Sequence, residues 1–289
     1  MSVAAKSAIP HARKWKVTAA GKTHPGRVRD QNEDNILLDE RRNLFIVADG
    51  MGGHGSGETA SREAIDALNA YFSTHDLREL LLSPPPPPIP CSDLCRTIVS
   101  SAQAPSRRGG DVSRIVSLGV SYANARIHAL NREMAVGPRP MGTTVAGIWF
   151  FSSLNRVAVF HVGDSRIYRL RSGNLVRLTM DHSLYEAWKR EGMRGAPPGT
   201  NILDRAVGPK HAVTPDVTLH PPLPGDLFLA CSDGLTDMVP EASIAEILSR
   251  VSEANLRATC DRLVDAANAK GGADNISVIL ALLLPPGDN

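Results

Sequence analysis

The sequence predicts an α+β protein in which antiparallel sheet is layered against helices. Short apolar, β-prone runs recur along the 289 residues, and segments with helical periodicity occur between them in pairs. Two of the runs, residues 156–161 and 167–170, are linked by the turn Gly163-Asp164-Ser165-Arg166, which predicts an antiparallel hairpin. Because strands and helices do not alternate singly, the pattern favours a layered sandwich over a βαβ fold.

The strands are predicted from apolar or alternating runs that end in turn residues. In chain order they are residues 16–20, 36–39, 44–48, 143–151, 156–161, 167–170, 212–219, 226–231 and 275–283. The sequence shows no internal repeat.

The helices are predicted from apolar residues spaced by three and four positions. The first begins near Ser56 and continues through Tyr71, and the second runs over residues 111–134 with Asp111 as its N-cap. The remaining helical segments are residues 182–191, 240–251 and 254–269. The first two and the last two form the predicted pairs.

The domain organisation follows from breaks in this pattern. We predict a flexible basic tail over residues 1–14, one domain over residues 15–285 and a short tail over residues 286–289. A proline-rich insertion at about residues 76–110 contains five consecutive prolines and favours extended, loop-like chain. A spacer is the simpler interpretation of this insertion, and a docking site for a proline-binding partner is the alternative.

Composition excludes several classes of function. A net charge of +2 does not indicate nucleic-acid binding, although residues 1–29 carry seven Lys or Arg and no acid. The longest apolar run, residues 278–284, is far shorter than the roughly 20 residues of a membrane helix. Without an apolar secretory signal near the N-terminus, the expected location is the cytoplasm. Cys91 and Cys95 form one CxxxC pair, which is weak evidence for zinc or a disulfide.

Four aspartates point to a site for hard cations. Each lies in a short polar or glycine-containing stretch beside an apolar, β-prone run, and therefore at a predicted strand end: Asp49, Asp164, Asp233 and Asp274. Strand ends that converge can bring such carboxylates together. Oxygen ligands without a cysteine or histidine cluster favour magnesium or manganese over zinc.

One motif suggests a different activity. Residues 50–55, Gly-Met-Gly-Gly-His-Gly, satisfy the G-x-G-x-x-G pattern of dinucleotide-binding proteins between a predicted strand and a helix. That function requires a second parallel strand that ends in an acid about 20 residues further on. Here the helix leads into the proline-rich insertion, and Asp49 would repel a pyrophosphate. We therefore set aside a nucleotide-dependent oxidoreductase.

Six motifs occur in register along the chain. They are Arg29-Asp30-Gln31-Asn32-Glu33-Asp34, Asp49-Gly50-Met51-Gly52-Gly53-His54, Gly142-Thr143-Thr144, Gly163-Asp164-Ser165-Arg166, Ser232-Asp233-Gly234 and Asp274-Asn275-Ile276-Ser277. Their order and spacing, over residues 17–284, resemble the bacterial branch of the metal-dependent protein phosphatases of type 2C (PPM-type). The resemblance implies a four-layer α-β-β-α sandwich, with two antiparallel sheets flanked by paired helices.

The resemblance also implies a centre of two manganese or magnesium ions, at which a water molecule held between the ions attacks a phosphomonoester. Asp49 would bridge the two ions, and Asp233 and Asp274 would complete the ligands of the first. Glu33 and the backbone carbonyl of Gly50 would serve the second.

Three further residues receive roles by resemblance. Asp34 would act through a coordinated water, and Arg29 would clamp the phosphate with its guanidinium fork. Asp164 would hold a third, weaker ion together with Asp233, as in bacterial members. The alternative for Asp164 is a turn aspartate that bonds its own backbone.

The resemblance leaves two regions open. Animal members carry their proposed general acid, a histidine, directly after the Asp-Gly pair, where this chain has Met51. His54 is therefore either the general acid or a histidine that stabilises the loop or is simply solvated. His182-Ser183 and residues 201–208 resemble the borders of the family's mobile flap, and the intervening flap segment (residues 184–200) is short and rich in Gly and Pro.

We therefore predict a monomeric serine/threonine phosphoprotein phosphatase that opposes a serine/threonine kinase and forms no phosphoenzyme. One alternative is a phosphoprotein-binding module of the same fold with weak activity, which loss of a metal aspartate would mark. Another is an enzyme that acts on a small phosphorylated metabolite, since a metal site does not recognise what lies beyond the phosphate.

Overall fold

The computed structural model describes residues 15–52, 55–74, 109–134, 140–199 and 201–285. The predicted tails, His54 and most of the predicted proline-rich insertion lie outside the described residues. The strands of the described part are β1 Lys16–His24, β2 Asp34–Asp39, β3 Leu44–Met51, β4 Gly142–Thr143, β5 Val145–Phe151, β6 Arg156–Val162, β7 Arg166–Arg171, β8 Asn174–Arg177, β9 Asp216–His220, β10 Leu227–Cys231 and β11 Ile276–Leu284.

The strands form two sheets in which all named pairings are antiparallel. One sheet has the order β1-β11-β10-β7-β8, and the other has the order β2-β3-β5-β6-β9, with β4 paired to β3. The helices are α1 Ser56–Thr74, α2 Gly109–Glu133, α3 Leu184–Arg190, α4 Asp233–Thr236, α5 Glu241–Leu248 and α6 Leu256–Ala269. The two sheets and the helices on their outer faces form the predicted four-layer sandwich.

Three apolar cores hold the layers together. On β3, Leu44 and Ile46 face helices α1 and α2, whereas Phe45 and Val47 face the other sheet, because successive side chains of a strand point to opposite faces. Phe228 and Ile279 approach from the facing sheet and complete the middle core. A third core lies between the first sheet and helices α5 and α6. Strands buried on both faces account for the continuous apolar runs seen in the sequence.

The predicted hairpin between the fifth and sixth strands is wrong. β6 pairs with β5 and β9, and β7 pairs with β8 and β10, so the Gly163–Ser165 turn crosses from one sheet to the other. The true hairpin joins β7 to β8 through Ser172 and Gly173, both at positive φ (51° and 78°), a geometry typical of two-residue hairpin turns.

Smaller differences concern element ends. Helix α2 begins at Gly109, so Asp111 lies inside it and is not its N-cap, and Gly109 and Gly110 belong to the helix rather than to the predicted insertion. The sequence patterns missed β8 and the single-turn helix α4.

No parallel strand follows α1 in the described residues, which removes the structural context of a dinucleotide site. None of the described helices combines the length and apolar character needed to cross a bilayer.

Candidate metal centre

Carboxylates from five segments converge at one end of the sandwich, between the two sheets. Asp34 begins β2 and lies directly opposite Asp49 of β3 in the sheet register. Asp164 lies in the turn that crosses between the sheets. Asp233 opens α4 after β10, and Asp274 precedes β11 by two residues. The structure therefore brings together all four aspartates that the sequence singled out.

The electrostatics of these carboxylates reflect their crowding. Burial raises the pKa of Asp49 well above its usual value, and the charges of Asp34, Asp233, Asp164 and Asp274 raise it further. Burial and then the charge of Asp164 raise the pKa of Asp233 to about 8. Burial is also the main cause that raises the pKa of Asp34 and of Asp164 to about 6 each. Such concentrated negative charge favours the binding of cations.

The donor set fits hard divalent cations. The converging side chains offer only carboxylate oxygens, which are the ligands that magnesium and manganese prefer. Asp34 is 3% exposed, and its Oδ1 has no hydrogen-bond partner among the described groups, although its Oδ2 accepts from Ser232 Oγ at 2.8 Å. A buried oxygen without a partner is costly unless a cation or a water satisfies it.

The backbone of Asp49 is fixed by two threonines. Its N–H donates to Thr144 Oγ1 (3.0 Å), and its carbonyl accepts from the Thr144 N–H (2.8 Å) and from Thr143 Oγ1 (2.9 Å). Thr144 Oγ1 also lies 2.7 Å from Ser165 Oγ, next to Asp164. The third motif of the sequence thus connects the Asp49 strand end to the Asp164 turn.

Two glycines allow the chain to close tightly around Glu33. A Cβ on Gly50 would lie 2.1 Å from the carbonyl oxygen of Gly57, and a Cβ on Gly57 would lie 2.7 Å from Glu33 Oε2. The Gly50 N–H donates to the Glu33 carbonyl at 3.1 Å. Burial raises the pKa of Glu33, while hydrogen bonds from the backbone of Gly57 and Glu58 oppose this rise. Glu33 therefore lies beside Gly50, at the start of α1.

Asn275 connects the Arg29–Asp34 segment to β11, a role that the sequence patterns did not assign. Its Oδ1 accepts from the Glu33 N–H at 2.7 Å, and its Nδ2 donates to the carbonyls of Pro25 (3.0 Å) and Gln31 (2.9 Å). Its own N–H donates to Asp274 Oδ1. Since Asn275 is 6% exposed and its side-chain partners Glu33, Pro25 and Gln31 lie more than 240 residues away in sequence, only the folded chain reveals these contacts.

Arg29 lies at the rim of the centre. Its NH2 group donates to Asp274 Oδ2 at 2.7 Å, and both side chains are about half exposed. One contact leaves most of the five N–H donors of the guanidinium available to a phosphate. His54, the candidate general acid of the sequence analysis, lies outside the described residues.

The structure adds Asp237 to the site, a residue that the motifs did not include. It follows Asp233 by four positions, and its charge raises the pKa of Asp233. Asp164, Asp233 and Asp237 line a cavity of about 590 Å³ together with Tyr185 and Lys189 of helix α3 in the flap segment. The i, i+4 spacing of two acids was the sequence signal that could have identified Asp237.

The crowded carboxylates predict an unusual pH dependence for the metal-free protein. A carboxyl group whose pKa is raised on folding contributes stability that is present at low pH and lost as the pH rises through its folded value, here about 8 for Asp233. In EDTA, the melting temperature is therefore expected to increase by about 2–4 °C when the pH is lowered from 9 to 7. Histidines are largely neutral over this range and so contribute little to the change. Scanning calorimetry of the wild type measures this shift.

Asp233→Asn is the matched control, because it removes the titrating group and should flatten this part of the pH profile. A metal-free wild type whose melting temperature is constant or falls between pH 9 and pH 7 would contradict the electrostatic description of the centre.

Comparison with known proteins agrees with this geometry. The family model described as "Protein phosphatase 2C" matches residues 21–267. The serine/threonine phosphatase stp of Listeria innocua is 34% identical over 268 residues, which cover 90% of this chain and 93% of that protein. The serine/threonine protein phosphatase PstP of Mycobacterium tuberculosis is 33% identical over 268 residues, 91% of this chain, but this chain spans only 44% of PstP.

Solved structures extend the agreement to the fold. The catalytic domain of PstP, crystallised in complex with two manganese ions, superposes with a TM-score of 0.73 at 30% identity over 94% of this chain and 100% of that one. The Streptococcus agalactiae serine/threonine phosphatase gives a TM-score of 0.74 at 28% identity over 92% of this chain and 99% of its own. With this match over most of its length, the chain belongs to the protein phosphatase 2C family.

Proposed function

We propose that this chain is a metal-dependent serine/threonine phosphoprotein phosphatase that hydrolyses phosphomonoesters at a centre of two manganese or magnesium ions. The observation that carries the proposal is the convergence of acids from five separate segments on one end of the sandwich, with Arg29 at its rim. Relatives named as serine/threonine phosphatases, one of them with two manganese ions in its crystal structure, support the same activity.

In this proposal Asp49 would be shared by the two ions, Asp233 and Asp274 would complete the ligands of the first, and Glu33 with the Gly50 carbonyl would serve the second. When bound, the ions supply a water of lowered pKa and neutralise charge on the phosphate. The chain contributes the position of each acid: Thr143 and Thr144 fix the Asp49 backbone by hydrogen bonds.

Arg29 and Asp34 act around the ions. The guanidinium of Arg29 orients the phosphate by pairing with its oxygens, which requires it to exchange part of its contact with Asp274. Asp34 accepts from Ser232 Oγ at 2.8 Å with Oδ2, and its Oδ1, which has no hydrogen-bond partner among the described residues, would act through a water when the ions are bound.

The relatives named as serine/threonine protein phosphatases favour a phosphoprotein over a small metabolite as the substrate. A cavity of about 590 Å³ lies beside the centre, and Tyr185 and Lys189 of the flap segment form one wall of it, with the Lys189 Nζ 4.5 Å from the centroid of the Tyr185 ring. A peptide next to the phosphoresidue would contact this wall. The alternative of a weakly active binding module lacks its expected sign, because every acid assigned to the metals is present.

We extend the proposal to the cellular setting. The substrates are proteins that a serine/threonine kinase has phosphorylated. The enzyme is a signalling protein of the cytoplasm, and it acts as a monomer. The buried free thiols of Cys231 and Cys260 suit a reducing compartment. Sedimentation of the purified chain tests the oligomeric state, and a dimer would contradict that part.

The substrate class is tested by phosphate release from matched phosphoserine, phosphothreonine and phosphotyrosine peptides and from a small phosphomonoester, each with Mn²⁺. The expected kcat/KM is highest for phosphothreonine or phosphoserine peptides. A small ester with a kcat/KM above that of every peptide would favour the metabolite enzyme instead. Binding of the peptides without release of phosphate would favour the binding module.

A further inference from the structure

A second cluster of potential metal ligands lies behind the Asp164 turn. His161 of β6 and His182, each 4% exposed, stack with ring centroids 4.3 Å apart, and Asp216 begins β9 beside them. Potential ligand atoms of the three residues lie within 4.8 Å of one another. None of these three residues belongs to the proposed catalytic centre.

The hydrogen bonds of the two rings argue against a metal. A carbonyl only accepts, so His161 Nε2, which lies 2.7 Å from the Met180 oxygen, carries a proton. His182 Nδ1 accepts from the Gly163 N–H at 3.2 Å, so the neutral His182 ring carries its proton on Nε2. Burial, and then the charges of His161 and Arg205, lower the pKa of His182 to about 4, which keeps the ring neutral. The Nε2 of His182 therefore has no lone pair to offer a cation.

His182 instead holds Gly163 at two points. The backbone N–H of His182 donates to the Gly163 carbonyl at 2.9 Å, while its ring accepts the Gly163 N–H. Gly163 has φ of +102°, and a Cβ there would lie 2.6 Å from Thr144 Cγ2. The turn is thus confined between His182 on one side and Thr144, which holds Asp49, on the other. Asp164 follows one peptide unit later.

The same histidine closes the base of the flap segment. Its carbonyl accepts from the Asp204 N–H at 2.8 Å, and the Leu184 N–H donates to the Ile202 carbonyl at 2.8 Å directly above it. The Nε2 of His182 faces Asp216 Oδ2 at 3.3 Å, and the other oxygen of Asp216 accepts from Arg205 at 2.9 Å. His182 therefore lies where the Asp164 turn, the flap segment and β9 meet.

We propose that His182 is a positioning residue for Asp164: by accepting the Gly163 N–H it fixes the turn that presents this carboxylate, and it thereby sets the affinity of the weakest cation of the centre. This inference rests on the proposed metal-dependent activity and on a third cation at Asp164. Residues that orient a metal ligand commonly change metal affinity by about 10–100-fold when replaced.

Two substitutions of His182 separate its two ring contacts. In His182→Asn the amide oxygen takes the place of Nδ1 and can still accept the Gly163 N–H, but nothing reaches Asp216. In His182→Gln the polar atoms lie near the position of Nε2, and the Gly163 N–H loses its acceptor. His220→Gln is the matched control, because His220 is a half-buried histidine of β9 bonded to Thr218 and lies outside the cluster.

The measurement is a Mn²⁺ titration of the full chain, with free Mn²⁺ followed by its paramagnetic resonance signal, alongside kcat, KM and the melting temperature. His182→Gln is expected to weaken the weakest Mn²⁺ site by about 10–100-fold and leave the tighter sites unchanged. His182→Asn should stay within about threefold of the wild type, as should His220→Gln. If His182→Gln does not fold, His182→Ala must show the same selective weakening.

Asp164→Asn distinguishes the possible failures. If it weakens the weakest site and the Gln and Ala variants do not, the inference about His182 is overturned while the metal centre stands. If Asp164→Asn changes no Mn²⁺ affinity, the third cation is overturned and this inference with it. Equal weakening in His182→Asn and His182→Gln, or a zinc ion that is bound by the wild type and lost in His182→Asn, would also overturn it.

Discussion

Asp49→Asn is expected to reduce turnover of a phosphothreonine peptide by about 10³-fold or more, because a bound cation contributes several kcal/mol to such a reaction and Asp49 is assigned to both ions. The fold should survive, since the backbone of Asp49 is held by Thr143 and Thr144 and does not depend on the carboxylate. Initial rates at saturating Mn²⁺ measure the effect.

The metal-free variant should also be more stable than the metal-free wild type, because asparagine does not titrate and folding then no longer has to raise the pKa of a crowded, buried carboxyl group at this position. Asp66→Asn is the control: Asp66 is an exposed acid of α1, and its variant should match the wild type in both rate and melting temperature. If Asp49→Asn keeps wild-type turnover, the assignment of the metal centre is wrong.

Removal of divalent cations is expected to abolish turnover, and Mn²⁺ should restore it and stabilise the fold. At a concentration about 100 times the dissociation constant, a ligand specific to the folded state stabilises by about 2.7 kcal/mol, which for a domain of this size raises the melting temperature by roughly 5–10 °C. Relief of repulsion among Asp34, Asp49 and Asp233 provides the physical cause. Calorimetry in EDTA and then in Mn²⁺ tests both parts.

The matched controls are K⁺ at equal ionic strength, which should change neither quantity, and Asp49→Asn, which should lose most of the stabilisation by Mn²⁺. Turnover that persists in EDTA after dialysis would rule out the proposed chemistry, whatever the thermal data show.

The elements whose sequence pattern has a local physical cause were predictable from the sequence. The predicted helix that begins near Ser56 and the strand over residues 44–48 both appear, because the spacing of apolar residues follows from the faces that these elements bury. The four-layer sandwich came from the resemblance carried by six motifs. The family comparison and the solved structures confirm both the family and the fold.

The connection whose geometry depends on distant partners was not predictable from the sequence. The turn at Asp164 could either close a hairpin or cross between sheets, and β6 is so fully buried that its sequence shows no alternation to decide. The crossing follows from pairing with β9, which lies more than 50 residues further along the chain. The missed β8, in contrast, had a local signal in Ser172-Gly173.

The sequence by itself determined the chemical character of the site: four aspartates at strand ends and no cluster of cysteines in the motifs, which select hard cations. Tertiary structure alone decided how the acids are held. Asn275 reaches Glu33 across 242 positions, and Ser232 reaches Asp34 across 198. His182 holds the turn before Asp164 from 19 positions away. The nature of a ligand atom belongs to one residue, whereas its position depends on hydrogen bonds that form only after the sheets pack.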